Sequence, residues 1–317
     1  MLSPNMWSVE AIESVWHRQD QLSVEHLLEF ENVREWVNSS ESRATSLVTL
    51  LGQAKSDLDS WNVENLGIFP SGVGGITVAA RGENGDCVGK WMVDGEALDL
   101  RVLSAQLLSQ SRLGPEVLAV SRHGFLSRRV VPGTPIRSLM PSPSDVLDAV
   151  KLLAQLNEVP LPAGRKLPSL TEITLLEIDA CGKDGVSNPF WSTLRHLNRR
   201  NLPTRPACFS HGDLQLGNVL VDENRLLLID GLASVDEGYF DIARLVLHTF
   251  VDAAGRGEEW DLVNLLEVTS RAYGTTPRSV RPYAQMRAAL DGYRLFSRGL
   301  REWEWRGYQL ALDALGQ

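Results

Sequence analysis

The sequence predicts an α+β protein in which a small β-rich part precedes a larger α-rich part. Three observations carry this. Between residues 66 and 135, β-rich runs alternate with turn dipeptides; beyond about residue 140, apolar positions recur at helical spacing, interrupted by one β segment near 219–229. From Pro132 to Pro143, Pro, Gly and Ser concentrate and let the backbone change direction. A chain of 317 residues suits one large or two medium domains, and 43% hydrophobic with 22% charged residues excludes a disordered or fibrous protein.

Taken in order, residues 1–65 read as a helical lead-in, with Val9, Ile12, Val15 and Trp16 as one apolar cluster and Leu27, Leu28, Val33 and Trp36 as another. From Leu66 the texture changes. LGIFPSGVGGITVAARGENGDCVGKWMV holds two β-rich runs joined by Asn84-Gly85, a dipeptide suited to tight hairpin turns. Leu98, Leu100, Val102, Leu103 and Leu107 predict a helix starting near Glu96 and ended by Gly114-Pro115. PEVLAV and FLSRRVV predict further strands. Ser142 to Asp145 offer N-caps for a helix whose Val146, Ala149, Val150, Leu153 and Leu156 share one face. The chain thus divides into residues 1–65, a β-rich part at 66–135 and an α-rich part at 136–317.

Composition narrows the function. Thirty-one basic against forty acidic residues, a net charge of −9, argues against nucleic acid as partner, because neutralising phosphates takes clustered Lys and Arg in excess. No apolar run approaches the roughly 20 residues that span a bilayer. MLSPNMWSVEAIE has no basic start followed by an apolar segment, and Cys87, Cys181 and Cys208 lack CxxC spacing. Both features predict a cytoplasmic protein with reduced thiols.

The chemistry concentrates in Ser210-His211-Gly212-Asp213-Leu214-Gln215-Leu216-Gly217-Asn218 and the following VLV-DENR-LLLI-Asp230. VLV and LLLI flank a polar group, which is hairpin syntax. Folding about residue 224 would set Val219 opposite Ile229 and Asn218 opposite Asp230. An amide and a carboxylate meeting at the open end of a hairpin suit a hard cation such as Mg²⁺, which takes one or two protein ligands and fills its other sites with water and phosphate oxygens. Asp213, five residues before Asn218, could take the proton of an attacking hydroxyl.

H-G-D-x-x-x-x-N, two short strands and I-D resemble the catalytic segment of the aminoglycoside phosphotransferase family, small-molecule relatives of protein kinases. The resemblance implies a bilobal, protein-kinase-like fold with a small nucleotide-binding lobe and a larger catalytic lobe. It implies Asp213 as catalytic base, His211 beside it as loop support, and Asn218 and Asp230 as Mg²⁺ ligands. Tyr239-Phe240-Asp241-Ile242-Ala243-Arg244 looks like the family's aspartate-apolar-alanine element, with Asp241 capping a helix or bracing the catalytic loop. Gly72, Gly74 and Gly75, whose missing Cβ atoms let backbone approach phosphate, would cradle the triphosphate of ATP or GTP. Lys90 would neutralise its oxygens with Glu96 as carboxylate partner, and Phe125 to Gly133 would form the hinge that reads the purine.

Gly212 stands where protein kinases carry an arginine, Gly231-Leu232 replaces their Phe-Gly, and no A-P-E follows. These departures favour a small-molecule acceptor with a hydroxyl. Asp236 and Glu237, with Asp291, Glu302 and Glu304, are candidate contacts to a cationic acceptor, and Trp303, Trp305 and Tyr308 could stack on a ring. Only five of the 31 basic residues are Lys, a bias of GC-rich genomes compatible with an antibiotic as acceptor. A metabolic kinase for an amino alcohol, sugar or homoserine, or a nucleotide-binding pseudokinase, shares the same motifs.

Overall fold

The computed structural model describes residues 41–71, 75–83, 85–92, 95–130, 134–136, 141–181, 188–198, 202–222, 225–297, 299 and 302–316. The apolar clusters of residues 1–40, Gly72 and Gly74, Asn84 and the Pro132-Gly133 connector lie outside the described residues. The chain divides after Val130 into two compact units.

The first unit is built on an antiparallel sheet of five strands: β1 (Glu64–Ser71), β2 (Gly75–Gly82), β3 (Gly85–Met92), β4 (Val117–Val120) and β5 (Gly124–Arg128), in the order β1-β2-β3-β5-β4. Its first tight hairpin joins β2 to β3, pairing Gly82 with Gly85, whose φ of 100° is open to glycine without a Cβ clash. Helix α1 (Glu41–Ser60), which the sequence division places in a separate lead-in, is packed on this sheet. Leu50, Leu51, Ala54 and Leu58 fall on one side of it and are buried, so this stretch finds its apolar partner in the β-rich unit. Helix α2 (Gly95–Gln110) packs against β3, β4 and β5 through Leu98 and Leu108. Its buried face differs from the predicted stripe, since Ser104 is fully buried while Leu100, Val102, Leu103 and Leu107 are half-buried.

Trp91 on β3 organises this unit. Its ring is fully buried over Gly89 and Gly124, where an added Cβ would lie 2.4 and 2.5 Å from the indole. Its Nε1–H donates to Asp57 of α1 at 2.8 Å, and Ser121 donates to the same carboxylate oxygen at 2.5 Å. A polar tie and an aromatic wedge thus fix helix to sheet. At the other end of β5, Arg128 pairs with Glu116 at 2.7 Å and Arg129 with Asp86 at 3.3 Å, so both arginines of the predicted hinge are held by surface carboxylates.

The second unit contains α3 (Pro143–Asn157), α4 (Leu170–Cys181), α5 (Trp191–Asn198), β7 (Cys208–Ser210), β8 (Val219–Asp222), β9 (Arg225–Leu228), β10 (Ser234–Asp236), α6 (Phe240–Gly255), α7 (Leu262–Ala272), α8 (Pro277–Ser297) and α9 (Glu302–Gly316). The short β6 (Thr134–Pro135) pairs with β8, which moves it from the predicted β-rich part into this unit. Ser142 caps α3, its N–H donating to Asp145 at 2.7 Å, and Val146, Ala149, Val150, Leu153 and Leu156 are buried. Helix α6 lies at the centre, buried through Ile242, Ala243, Leu245, Val246, Leu247 and Val251 and packed against α3, α7, α8 and α9.

The β8–β9 hairpin corrects the predicted register by one residue. Val219 pairs with Leu228 and Asp222 with Arg225, leaving two residues between the strands rather than a fold centred on residue 224. Arg225 Nε and Asp222 are 2.7 Å apart, an ion pair across the turn that favours the shorter connection. Asn218 therefore faces Ile229 and not Asp230. Among the described residues no helix is long and apolar enough to cross a membrane.

Trp91→Ala is expected to lower the stability of the first unit by about 3–5 kcal/mol, from the cavity left beside two glycines that cannot fill it. Urea unfolding of wild type and variant, followed by far-UV circular dichroism, measures the difference.

Candidate active site

Two short antiparallel ladders carry the two loops of interest. The 211–218 loop leaves β7 and returns on β8; the 229–233 loop leaves β9 and returns on β10. β7 pairs with β10, Ser210 opposite Ser234, and β8 pairs with β9. Three further bonds tie loop to loop: Ile229 N–H to Asn218 O at 3.0 Å, Leu232 N–H to His211 O at 2.7 Å, and His211 Nε2–H to Ile229 O at 2.9 Å. The loops thus behave as one body despite being irregular backbone.

Asp241, in the first turn of α6 and buried, holds that body to the helix. It accepts Ser210 Oγ–H at 2.6 Å, His211 N–H at 2.7 Å and Gly212 N–H at 3.1 Å. Hydrogen bonds to a charged acceptor out of water are the strong kind. The helix is capped by a different residue: Asp236 accepts Gly238 N–H at 2.8 Å and Phe240 N–H at 3.0 Å. Asp236 is fully buried and also carries Arg205 at 3.2 Å, so it is not placed to meet an acceptor, contrary to the sequence expectation. Neighbouring Glu237 is exposed, and its carbonyl accepts Arg205 N–H.

Gly212 has φ 73°, and a Cβ there would lie 2.5 Å from Leu232 O and 2.8 Å from Ser234 Oγ. Both dihedral and space therefore require glycine where protein kinases carry an arginine. His211 is fully buried. Burial pushes its pKa below the ordinary value of 6.5 against the opposing pull of Asp241 and Asp213. A neutral ring donating to Ile229 O is a strut between the loops, not a proton carrier.

Asp213 is about one-quarter exposed and lies 2.6 Å from Arg244 Nη2 on α6. Asn218 donates its side-chain N–H to Asp213 O at 2.8 Å, which leaves the amide oxygen to take a cation. Asp230 has φ 60°, an uncommon conformation for a residue other than glycine, and it follows immediately on the residue paired with Asn218. One amide oxygen and one carboxylate, with no cluster of three or more His, Cys, Asp or Glu among the described residues, fit Mg²⁺ better than a cage-bound metal. In the first unit, Lys90 is half-buried on β3 between Thr77 and Phe125, Gly75 opens β2, and Glu96 is exposed in the first turn of α2.

Sequence reasoning did not single out Arg244, which contacts Asp213. It lies three positions beyond Asp241, and that helical spacing next to the loop-bracing residue was the available signal. Of the other predicted acceptor contacts, Glu302 pairs with Arg306, Trp303 packs on Gly255, Trp305 on Phe296, and Tyr308 is buried beside His248.

A β-sheet unit followed by a helical unit that carries these two loops defines a protein-kinase-like α+β phosphotransferase fold. Residues 100–283, more than half of the chain, match the model of the phosphotransferase enzyme family, and the chain belongs to that family. It is accordingly a phosphotransferase whose acceptor group is a hydroxyl. Solved structures with the same fold include a choline/ethanolamine kinase family protein from Mesorhizobium loti (16% identity, TM-score 0.57, covering 84% of this chain and 94% of that one). Another is an aminoglycoside phosphotransferase from Streptomyces rimosus (21%, TM-score 0.52, 78% and 97%). A third is a spectinomycin phosphotransferase in complex with ADP and spectinomycin (13%, TM-score 0.58, 84% and 97%). No curated protein matches the chain.

Asp241→Asn is expected to lower turnover at least about 100-fold, because the loop that positions Asp213 loses its charged brace; steady-state kinetics alongside a melting curve separates this from general unfolding. His211 predicts an acid-sensitive fold. Its folded pKa lies below the unfolded value, so the unfolded state binds the extra proton first, and stability is present above pH about 6.5 and lost as pH falls below it, by at most about 1.4 kcal/mol per pH unit. Urea unfolding between pH 7.5 and 5 should show this slope and His211→Gln should flatten it.

Proposed function

We propose that this chain transfers the γ-phosphoryl group of ATP or GTP to a hydroxyl of a small polar molecule, with Asp213 as the base. The observation that carries the reading is the braced loop: Asp213, Asn218 and Asp230 occupy two loops locked together by hydrogen bonds and held by Asp241. The acceptor hydroxyl hydrogen-bonds to the open Asp213 oxygen, its oxygen attacks the γ-phosphorus, the bond to the leaving nucleoside diphosphate breaks, and the proton passes to the Asp213 carboxylate. Asn218 and Asp230 would hold Mg²⁺, which when bound offsets charge on the phosphoryl oxygens. Lys90 would meet the α- and β-phosphates, with Glu96 as its carboxylate partner, and the glycines at 72, 74 and 75 would approach them with backbone N–H groups.

The likeness to a spectinomycin phosphotransferase seen with ADP supports a nucleotide donor. An antibiotic acceptor draws support from that protein and the Streptomyces rimosus enzyme; a metabolic hydroxyl compound draws it from the choline/ethanolamine kinase family protein. The complete set of Asp213, Asn218 and Asp230 argues for turnover and against a pseudokinase.

A screen of antibiotics, amino alcohols, sugars and hydroxy acids with ATP and GTP in parallel, read as phosphorylated product by mass, tests the reading. Asp213→Ala should cut product formation at least about 100-fold while nucleotide binding persists, and Asp230→Ala should weaken Mg²⁺-dependent nucleotide binding. Near wild-type turnover in Asp213→Ala would remove the base from that residue.

A further inference from the structure

The sheet of the first unit has an open edge whose side chains are complementary to themselves. β4 (Val117–Val120) is the last strand of that sheet, bonded to β5 on one side and, among the described residues, to no strand on the other. Ser121, at the turn into β5, spends its N–H on Gly124 O at 2.8 Å, so alternation turns the N–H and C=O of Val120 the other way, toward the open edge. An edge of this kind is a template for another strand, and proteins commonly blunt it with proline or charge. The opposite edge of the sheet follows that rule, since β1 carries Glu64 and Pro70. β4 does not. Its residues are Val, Leu, Ala and Val, and its irregularity, between Val117 and Ala119, lies in the pairing with β5.

The order of side chains along the edge decides what fits it. Val117 and Ala119 are half-buried, whereas Leu118 and Val120 are exposed, at 36% and 44%. Glu116, just before the strand, and Arg122, in the turn just after it, are exposed as well. At every second residue the exposed side thus reads acid, apolar, apolar, base. An antiparallel strand presents the same list backwards. Laid against a second copy about Ala119, Leu118 meets Val120 and Glu116 meets Arg122, and two-fold symmetry makes each contact twice. A slip of two residues loses the match: in one direction Glu116 meets Val120, in the other Leu118 meets Arg122. Within the chain Glu116 pairs with Arg128 at 2.7 Å, but both side chains are about half exposed, and an ion pair in water opposes exchange or sharing only weakly.

We propose that β4 pairs antiparallel with β4 of a second copy of this chain, in the register centred on Ala119, and so joins two five-stranded sheets into one. A foreign strand would also satisfy the backbone of the edge, but the sequence of acid, apolar and basic side chains matches this chain's own edge. The contact is short and places the dimer among weak interfaces, with a dissociation constant on the order of 1–100 µM. It involves the first unit alone and stands apart from the phosphotransfer reading.

Sedimentation velocity of the full chain from about 1 to 300 µM tests the pairing. Wild type should pass from monomer to dimer across this range. Leu118→Lys and Val120→Lys should each remain monomeric throughout, with far-UV circular dichroism and melting temperature unchanged because both positions are exposed. Glu116→Arg and Arg122→Glu each set like charges opposite one another twice and should weaken self-association about tenfold. An equimolar mixture of those two variants should dimerise as tightly as wild type, since every facing pair is then of opposite sign. That mixture reads the register, which a loss of folding cannot imitate. The proposal is overturned if wild type stays monomeric at every concentration, if a dimer survives both lysine substitutions, or if the mixed charge variants associate no better than either alone.

Discussion

The carboxylate of Asp241 is buried at the start of α6, and it is stable there because the hydroxyl of Ser210 and the N–H groups of His211 and Gly212 all donate to it. An ion out of water needs such donors, and a loop leaving a three-residue strand needs an acceptor for its unpaired N–H groups. Each requirement meets the other. From this follow the glycine at 212, whose left-handed backbone aims its N–H at Asp241, and the neutral histidine at 211, whose ring closes on the partner loop. Asp213 then emerges beside Arg244, from the same helix that supplies the brace.

Electrostatics in the second unit has a recurring form beside the Asp241 brace: carboxylates set against guanidiniums. Asp236 with Arg205, Asp213 with Arg244, and Asp291 with Arg287 each place a carboxylate against a guanidinium. The net charge of −9 therefore says little about the surroundings of Asp213. Charge counted along a chain and charge presented at a site are separate quantities once arginines are drawn inward.

Much of this was legible in the sequence, for identifiable reasons. The H-G-D-x-x-x-x-N run and the following hairpin were readable because loop chemistry depends on residue types at fixed spacing, and α3 was readable because its apolar stripe and its cap agree. The hairpin register was not, since one residue of slip turns on an ion pair between Asp222 and Arg225 that pattern alone does not weigh. Helix α1 was set apart because its partner, the sheet carrying Trp91, follows it in the chain. The capping of α6 fell to Asp236 and not to Asp241, and the pairing of Asp291 stayed hidden, because both depend on which donors tertiary packing brings near. Gly212 was recognisable as a departure from protein kinases, while its reason, the approach of Leu232 O, lies nineteen residues' worth of loop and hairpin away along the chain.

Asp241, Arg244 and His248 stand at successive helical turns of α6. The first fixes the loop, the second touches Asp213, and the third lies beyond both. A substitution at 241 loosens the loop itself, whereas one at 248 leaves the bonds of the brace in place. One face of one helix thus separates a position that holds the loop from positions that change only the charge around it.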